Sequence, residues 1–216
     1  MVGGPQSFGP GGWRDTPIEA ALPVTMDIPV YRTMPPVSVV IVIDVSGSMA
    51  MTEDGIPKLS LALDGARRIA SLLRDEDELT ILPFNDRPGV VVGPLPGSQR
   101  DKAIEQMSQV RLGGSGINIH DALVAAAKYV RASDRPVRHI ITITDGNDTV
   151  QQEGALDIVR ALCDEGVTLT SIAVGQGSHV PFIRDMAAVG VPFINISTLS
   201  LRRAVRLPNA LRLSEV

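Results

Sequence analysis

The stretch VVIVIDVSGSM, Val39 to Met49, decides how this chain is read. An apolar, β-branched run enters an aspartate, and two serines separated by a glycine follow it. Extended to Val37, the run suits a strand covered on both faces, as in a parallel sheet. A single Ser or Asp at such a place caps a helix or opens a turn. Three oxygens at alternate positions, Asp44, Ser46 and Ser48, ask for a common target.

Outward from this strand the pattern alternates. Lys58 to Arg74 places Leu59, Leu63, Ala66, Ala70 and Leu73 on one helical face. Short strands are expected at Leu79 to Phe84 and Gly89 to Val92, reversing at Asn85 to Pro88, and a helix at Gln99 to Gln109. Asn118 to Arg131 reads as a helix with Ile119, Ala122, Leu123, Ala126 and Val130 inward. Asn118 is its N-cap and Asp121 the capping-box partner, with His120 solvated at its start. Then come the strand His139 to Thr144, a helix Glu153 to Glu165, the strand Val167 to Val174, a helix at Pro181 to Val189, the strand Pro192 to Ile196 and a last helix from Leu199. This alternation predicts an α/β, doubly wound, mostly parallel central sheet with helices on both faces. Ligands of such sheets sit beyond the carboxyl ends of the strands, near a switch in strand order.

Residues 1–36 differ in kind. Rich in Gly and Pro, with Pro23, Pro29, Pro35 and Pro36 breaking any long element, they read as an extended lead-in with one helical turn at Thr16 to Leu22. The domain proper is expected at 37–216.

The totals narrow the function. The chain has 216 residues, 44% of them hydrophobic and 20% charged, which suits one main globular domain. Aromatics make up only 3%, so its core is aliphatic. A net charge of -4, with no basic run longer than Arg67-Arg68 or Arg202-Arg203, argues against nucleic acid. Cys163 is the single cysteine, which excludes an intrachain disulfide; in its helical setting it reads as a small buried hydrophobe. No stretch approaches the roughly eighteen apolar residues of a membrane span, so this chain is expected to be soluble and to make no membrane contact itself.

Two strongly apolar strands end in aspartate: VVIVID at Asp44 and HIITITD at Asp145. As neighbours in the sheet they would bring two carboxylates, with Ser46 and Ser48, into one crevice. An all-oxygen set without His or Cys suits a hard divalent cation, Mg²⁺ or Mn²⁺.

Asp44-Val-Ser46-Gly-Ser48-Met resembles the DxSxS signature of von Willebrand factor type A (VWA) domains, and Asp145-Gly146 resembles that family's distal Asp-Gly. Asp77 to Phe84 is similar to its second strand, and the likeness runs from about Val37 to Arg206. The resemblance implies a Rossmann-like fold with a metal-ion-dependent adhesion site (MIDAS). Two serines and a threonine there bind the ion directly, and the aspartates act mainly through waters. It implies a non-enzymatic interaction module whose partner protein offers an Asp or Glu carboxylate to the ion.

One ligand is missing. The family's loop reads approximately GGGTNIYPAL, and in LGGSGINIHDAL, Leu112 to Leu123, the threonine position falls on Ile117. A water fills its place, or Ser115 reaches in from two residues away, or the site holds metal weakly. Two rival functions follow. One is a structural VWA domain with a decayed site. The other is a phosphohydrolase of the haloacid dehalogenase type with Asp44 as nucleophile, which needs an aspartate as general acid where Ser46 stands. Glu53 and Asp54, in the loop after the motif, either tune the charge of the site or, as the preferred reading, are solvated turn residues preceding Gly55 and Pro57. SFGPGGWRDTPIEAALPV is similar to the end of a class I glutamine amidotransferase-like domain. That likeness implies a fragment of a larger, membrane-anchored bacterial protein.

Overall fold

The computed structural model describes residues 34–89, 92–114, 116–146, 154–175, 180–190 and 193–196. All of them except Met34 belong to one compact unit, Pro35–Val216. The lead-in with its expected turn at Thr16 to Leu22 and the last helix from Leu199 lie outside the described residues, as does the stretch similar to an amidotransferase-like domain.

Strand β1 (Val37–Asp44) is followed by a short hairpin, β2 (Thr52–Glu53) and β3 (Ile56–Pro57), and by helix α1 (Lys58–Leu72). Next come β4 (Glu78–Phe84), β5 (Val92–Pro96), α2 (Arg100–Met107) and α3 (Ile119–Ala132). The described chain ends through β6 (Val137–Thr144), α4 (Ala155–Asp164), β7 (Thr168–Val174), α5 (Val180–Gly190) and β8 (Phe193–Ile196). The main sheet has the order β5-β4-β1-β6-β7-β8. Every pair is parallel except β4–β5. From β1 the chain builds outward through β4 on one side, then crosses to β6 on the other, so strand order switches at β1 and β6.

The unbroken apolar run of β1 has a direct cause. Successive side chains point to opposite faces, and both faces are covered. Val39, Ile41 and Ile43 join a core with Leu59, Leu63 and Ala66 of α1 and Met107 of α2. Val40 and Val42 join a second core with Leu123 and Val130 of α3, Leu162 of α4 and Met186 of α5. Each such burial contributes about 2 kcal/mol relative to exposure, so β1 is held from both sides and its C-terminal tip is a fixed platform.

The elements differ from the sequence expectation in two places that have identifiable causes. The strand expected at Gly89 to Val92 instead pairs over Val92–Pro96, antiparallel to β4, with Glu78 opposite Pro96 and Leu79 opposite Leu95. Pro94 and Pro96 read as strand breakers, yet β5 is an edge, where a missing N–H costs no ladder bond. Gly93 permits the irregular register: its φ is +111°, and a Cβ there would stand 2.7 Å from Leu79 O. Helix α1 stops at Leu72, short of the expected Arg74. Asp77 draws the chain away, its carboxylate accepting the Arg74 N–H at 2.7 Å and the Val37 N–H at 3.0 Å.

Candidate metal centre at the sheet switch point

β1 and β6 run in parallel register with Ile43 beside Ile143, so their tips bring Asp44 and Thr144 together, and Asp145 follows at once. Asp44 is fully buried at 0% exposure, and both of its oxygens are engaged. Oδ1 accepts the Ser46 N–H at 2.8 Å and Oδ2 accepts the Thr144 hydroxyl at 2.6 Å. Thr144 Oγ1 in turn accepts the Gly146 N–H at 2.9 Å. Burial pushes the Asp44 carboxyl above its usual range; the hydrogen bonds from Thr144 and Ser46 oppose this, and the Asp145 charge adds to it.

The serines do something different. After Asp44 the chain makes a 3₁₀ turn, Gly47–Ala50, with Ser46 as its N-cap, but the Ser46 side chain makes no cap bond. Its Oγ lies 3.0 Å from Ser48 Oγ, which donates to Asp145 Oδ1 at 3.1 Å. The Ser46 N–H thus accounts for Asp44 Oδ1, while the Ser46 hydroxyl interacts with Asp44 and Ser48, and the Ser48 hydroxyl reaches Asp145. Four of the five residues singled out as ligands, Asp44, Ser46, Ser48 and Asp145, come together here. Ser115 lies outside the described residues.

This oxygen set fits a small divalent ion. In an octahedron with metal–oxygen bonds of about 2.1 Å, adjacent ligands stand roughly 3.0 Å apart. Ser46 Oγ to Ser48 Oγ and Ser48 Oγ to Asp145 Oδ1, hydrogen-bonded at 3.0 and 3.1 Å, are compatible with that spacing. Among the described residues no three His, Cys, Asp or Glu side chains gather to hold a metal. Any ion held here is therefore held largely by hydroxyls.

Sequence reasoning gave Lys58 and Thr144 no part in the site and preferred a solvated turn for Glu53. Lys58, the first residue of α1, donates from Nζ to Asp145 Oδ2 at 3.1 Å, with the two side chains 5% and 1% exposed. A signal was available: a lysine in the first helical turn opposes the helix dipole and implies a stronger partner elsewhere. Glu53, expected in a solvated turn, is half-buried in β2. Its Oε1 would stand 2.7 Å from a Cβ placed on Gly175, where Lys58 Cε would stand at 2.5 Å and Nζ at 3.1 Å. Thr144, read only as part of a strand, anchors Asp44.

The flanking loop explains the anomalous isoleucine. Gly113 N–H donates to Val45 O at 2.7 Å and Asn118 N–H to Asn85 O at 2.7 Å, fixing the segment across the tips of β1 and β4. Ile117, 9% exposed, packs into the core shared with Phe84 and Leu123 rather than toward the serines. Asn118 caps α3, its Oδ1 accepting the Asp121 N–H at 3.0 Å, and its Nδ2 donates to Asp121 Oδ2 at 2.8 Å. His120 is exposed beside Asp121. Cys163 is half-buried against the second core, and burial raises its thiol pKa.

A doubly wound sheet whose switch point carries a strand-end DxSxS and a second strand-end aspartate defines a Rossmann-like class of domains. The chain belongs to the von Willebrand factor type A domain family, whose profile matches residues 39–147, just over half of it. It is 27% identical over 147 residues to a UPF0353 protein of Mycolicibacterium gilvum, covering 63% of this chain and 44% of that one. The match spans less than half the length of this relative and of a UPF0353 protein of Mycolicibacterium vanbaalenii, 44% of each. Two solved structures share the fold. An aerotolerance-related membrane protein from Bacteroides fragilis superposes with a TM-score of 0.67 at 18% identity, over 77% of this chain and 96% of the other. Proximal thread matrix protein 1 of the mussel byssus, with a zinc-occupied MIDAS motif, gives 0.67 at 20% identity, over 80% and 46%.

Proposed function

We propose that this domain is a metal-dependent protein-interaction module, in which Ser46, Ser48 and Asp145 hold Mg²⁺ or Mn²⁺ and a partner protein contributes an Asp or Glu carboxylate. The observation that carries this reading is the convergence of Ser46 Oγ, Ser48 Oγ and Asp145 Oδ1 at the strand tips, linked at 3.0 and 3.1 Å, with no cap bond from the Ser46 side chain. Neutral hydroxyl ligands leave a bound cation its charge, which is what attracts an external carboxylate. Asp44 organises the turn through the Ser46 N–H and supports the site without facing solvent. Ser46 and Asp145 are buried, Ser48 is half-buried, and the exposed Gly47 between the serines marks the solvent side of the turn.

A binding role is favoured over an enzymatic one because Asp44 already spends both oxygens on protein donors, and Ser46 stands where a phosphohydrolase needs its acid. The zinc-occupied site of the mussel protein supports the metal assignment, and the membrane protein of B. fragilis supports a membrane-anchored parent. Among the described residues no helix is long and apolar enough to cross a membrane.

Calorimetry with Mn²⁺ on the wild type and on Ser48→Ala tests the reading. Binding weakened at least about tenfold by the loss of one ligand is expected. Equal heats from the two proteins would remove the ion from this site. Burial of Ile117 in the core favours the second reading, a structural domain with a decayed site, and absence of any heat from the wild type would select it.

A further inference from the structure

A buried lysine within a cation site is unusual company. Lys58 and Asp145 are almost wholly removed from water and 3.1 Å apart. The carboxylate that accepts from Ser48 on one oxygen accepts from an ammonium on the other. Two buried carboxylates at adjacent strand tips, Asp44 and Asp145, repel one another, and a fixed positive charge offsets that repulsion.

The lysine reaches Asp145 through a slot built for it. Gly175 follows β7 with φ +95°, and a Cβ there would strike Lys58 Cε at 2.5 Å, so a side chain at this position would close the slot. The Pro57–Lys58 corner is set by the β2–β3 hairpin: Lys58 N–H donates to Met51 O at 2.9 Å, and Thr52 pairs with Pro57. The same hairpin puts Glu53 beside that slot. Glu53 Oε1 and Lys58 Nζ lie 2.7 and 3.1 Å from one point above Gly175. The ammonium therefore has Asp145 as its ion-pair partner, and the Glu53 carboxylate borders the same slot.

We propose that Lys58 is the resident cation of this site: it neutralises Asp145 in the metal-free domain, and it passes to Glu53 when Asp145 turns to a divalent cation. This inference rests on the metal-dependent reading above. It makes ion binding an exchange of one cation for another, so that affinity is set by Lys58 and Glu53 as well as by the oxygens that touch the ion. Two linked equilibria of this kind couple reciprocally. Removing the ammonium favours the ion, and removing its alternative carboxylate disfavours it.

The test uses the full chain and Mn²⁺ alone, with affinity read by calorimetry and the melting temperature read in chelator. Lys58→Met is expected to bind Mn²⁺ on the order of tenfold more tightly than the wild type. It should also melt lower in chelator and recover on adding Mn²⁺, because Asp145 then loses the ammonium that accompanies it. Glu53→Gln is expected to weaken Mn²⁺ binding in the wild-type background and to leave the affinity of Lys58→Met unchanged. Weaker or equal binding by Lys58→Met overturns the resident-cation role. An equal loss from Glu53→Gln in both backgrounds overturns the hand-over, since Glu53 would then act on the ion by its own charge. Should Lys58→Met not fold, Lys58→Gln keeps a hydrogen-bond donor toward Asp145 without the charge and must show the same tightening. Failure of all four proteins, the double variant included, to bind Mn²⁺ sinks the metal-dependent function itself; normal wild-type binding with the wrong variant pattern sinks this inference alone.

Discussion

Thr144 donates its hydroxyl to Asp44 Oδ2 at 2.6 Å, joining the tips of β6 and β1 directly beneath the crevice. The same oxygen accepts the Gly146 N–H, so one hydroxyl sets both the orientation of Asp44 and the exit of the chain toward Asp145. Thr144→Val keeps the shape of the side chain and removes both bonds, leaving a buried carboxylate oxygen and a backbone N–H without these partners. Urea denaturation in chelator should show a loss of about 1 to 3 kcal/mol, and Thr144→Ser should recover most of it. Equal stability of Thr144→Val and wild type would mean that Asp44 finds another donor.

Phosphomonoesters offered with Mg²⁺ should not be turned over. Asp44 is fully buried with both oxygens hydrogen-bonded, and attack on phosphorus needs an exposed carboxylate with an acid nearby. Hydrolysis abolished by Asp44→Asn would reverse this conclusion in favour of an enzyme.

Ile117 occupies the place of a ligand in the sequence and of a core residue in space. Ile117→Thr removes a methyl group and buries a hydroxyl, an exchange that is not neutral even where the volumes are close. A stability loss of about 1 to 3 kcal/mol is expected, with Mn²⁺ affinity unchanged, because the side chain packs away from the serines. Chemical denaturation and calorimetry separate the two quantities. Tighter Mn²⁺ binding by the variant would show that the loop can turn this position toward the ion.

Much of this architecture was legible because its causes are local. The unbroken β-branched run of β1 and the 3.6-residue spacing of α1 and α3 named their own elements, and the strand-end aspartates named the crevice. Asp44, Ser46, Ser48 and Asp145 were found because short-range spacing and a repeated strand ending both point to them. Lys58 was not, and Glu53 was ranked first as a solvated turn residue, since their placement exists only once a hairpin of two-residue strands folds back and Gly175 leaves room beside them. β5 escaped for a related reason: proline is a breaker in the sequence and harmless on an edge, and edge position is a property of the whole sheet. The path of Ile117 was equally nonlocal, being set by backbone bonds to Val45 and Asn85.

Asp77 supplies the last prediction, which concerns acid stability. Its buried carboxylate accepts the N–H groups of Val37 and Arg74 and an Arg74 guanidinium bond at 3.0 Å, which ties the start of β1 to the end of α1. Burial draws the Asp77 carboxyl upward, but the bonds from Arg74 and Val37 outweigh it and hold the group below the usual carboxylate range. In the unfolded chain the same group titrates near pH 3.9. Between the folded value and roughly pH 4 the unfolded state binds more protons than the folded one, so stability rises with pH across that window. The contribution is complete above the window and is lost as pH falls through the folded value. Asp77→Asn should therefore cost about 1 to 3 kcal/mol at pH 7, and its gap from the wild type should narrow below about pH 4. Urea denaturation of both proteins at pH 7, 5 and 3 measures the gap directly. A gap that stays constant to pH 3 would assign the loss to altered packing, and would show that the charge on Asp77 does not hold β1 to α1.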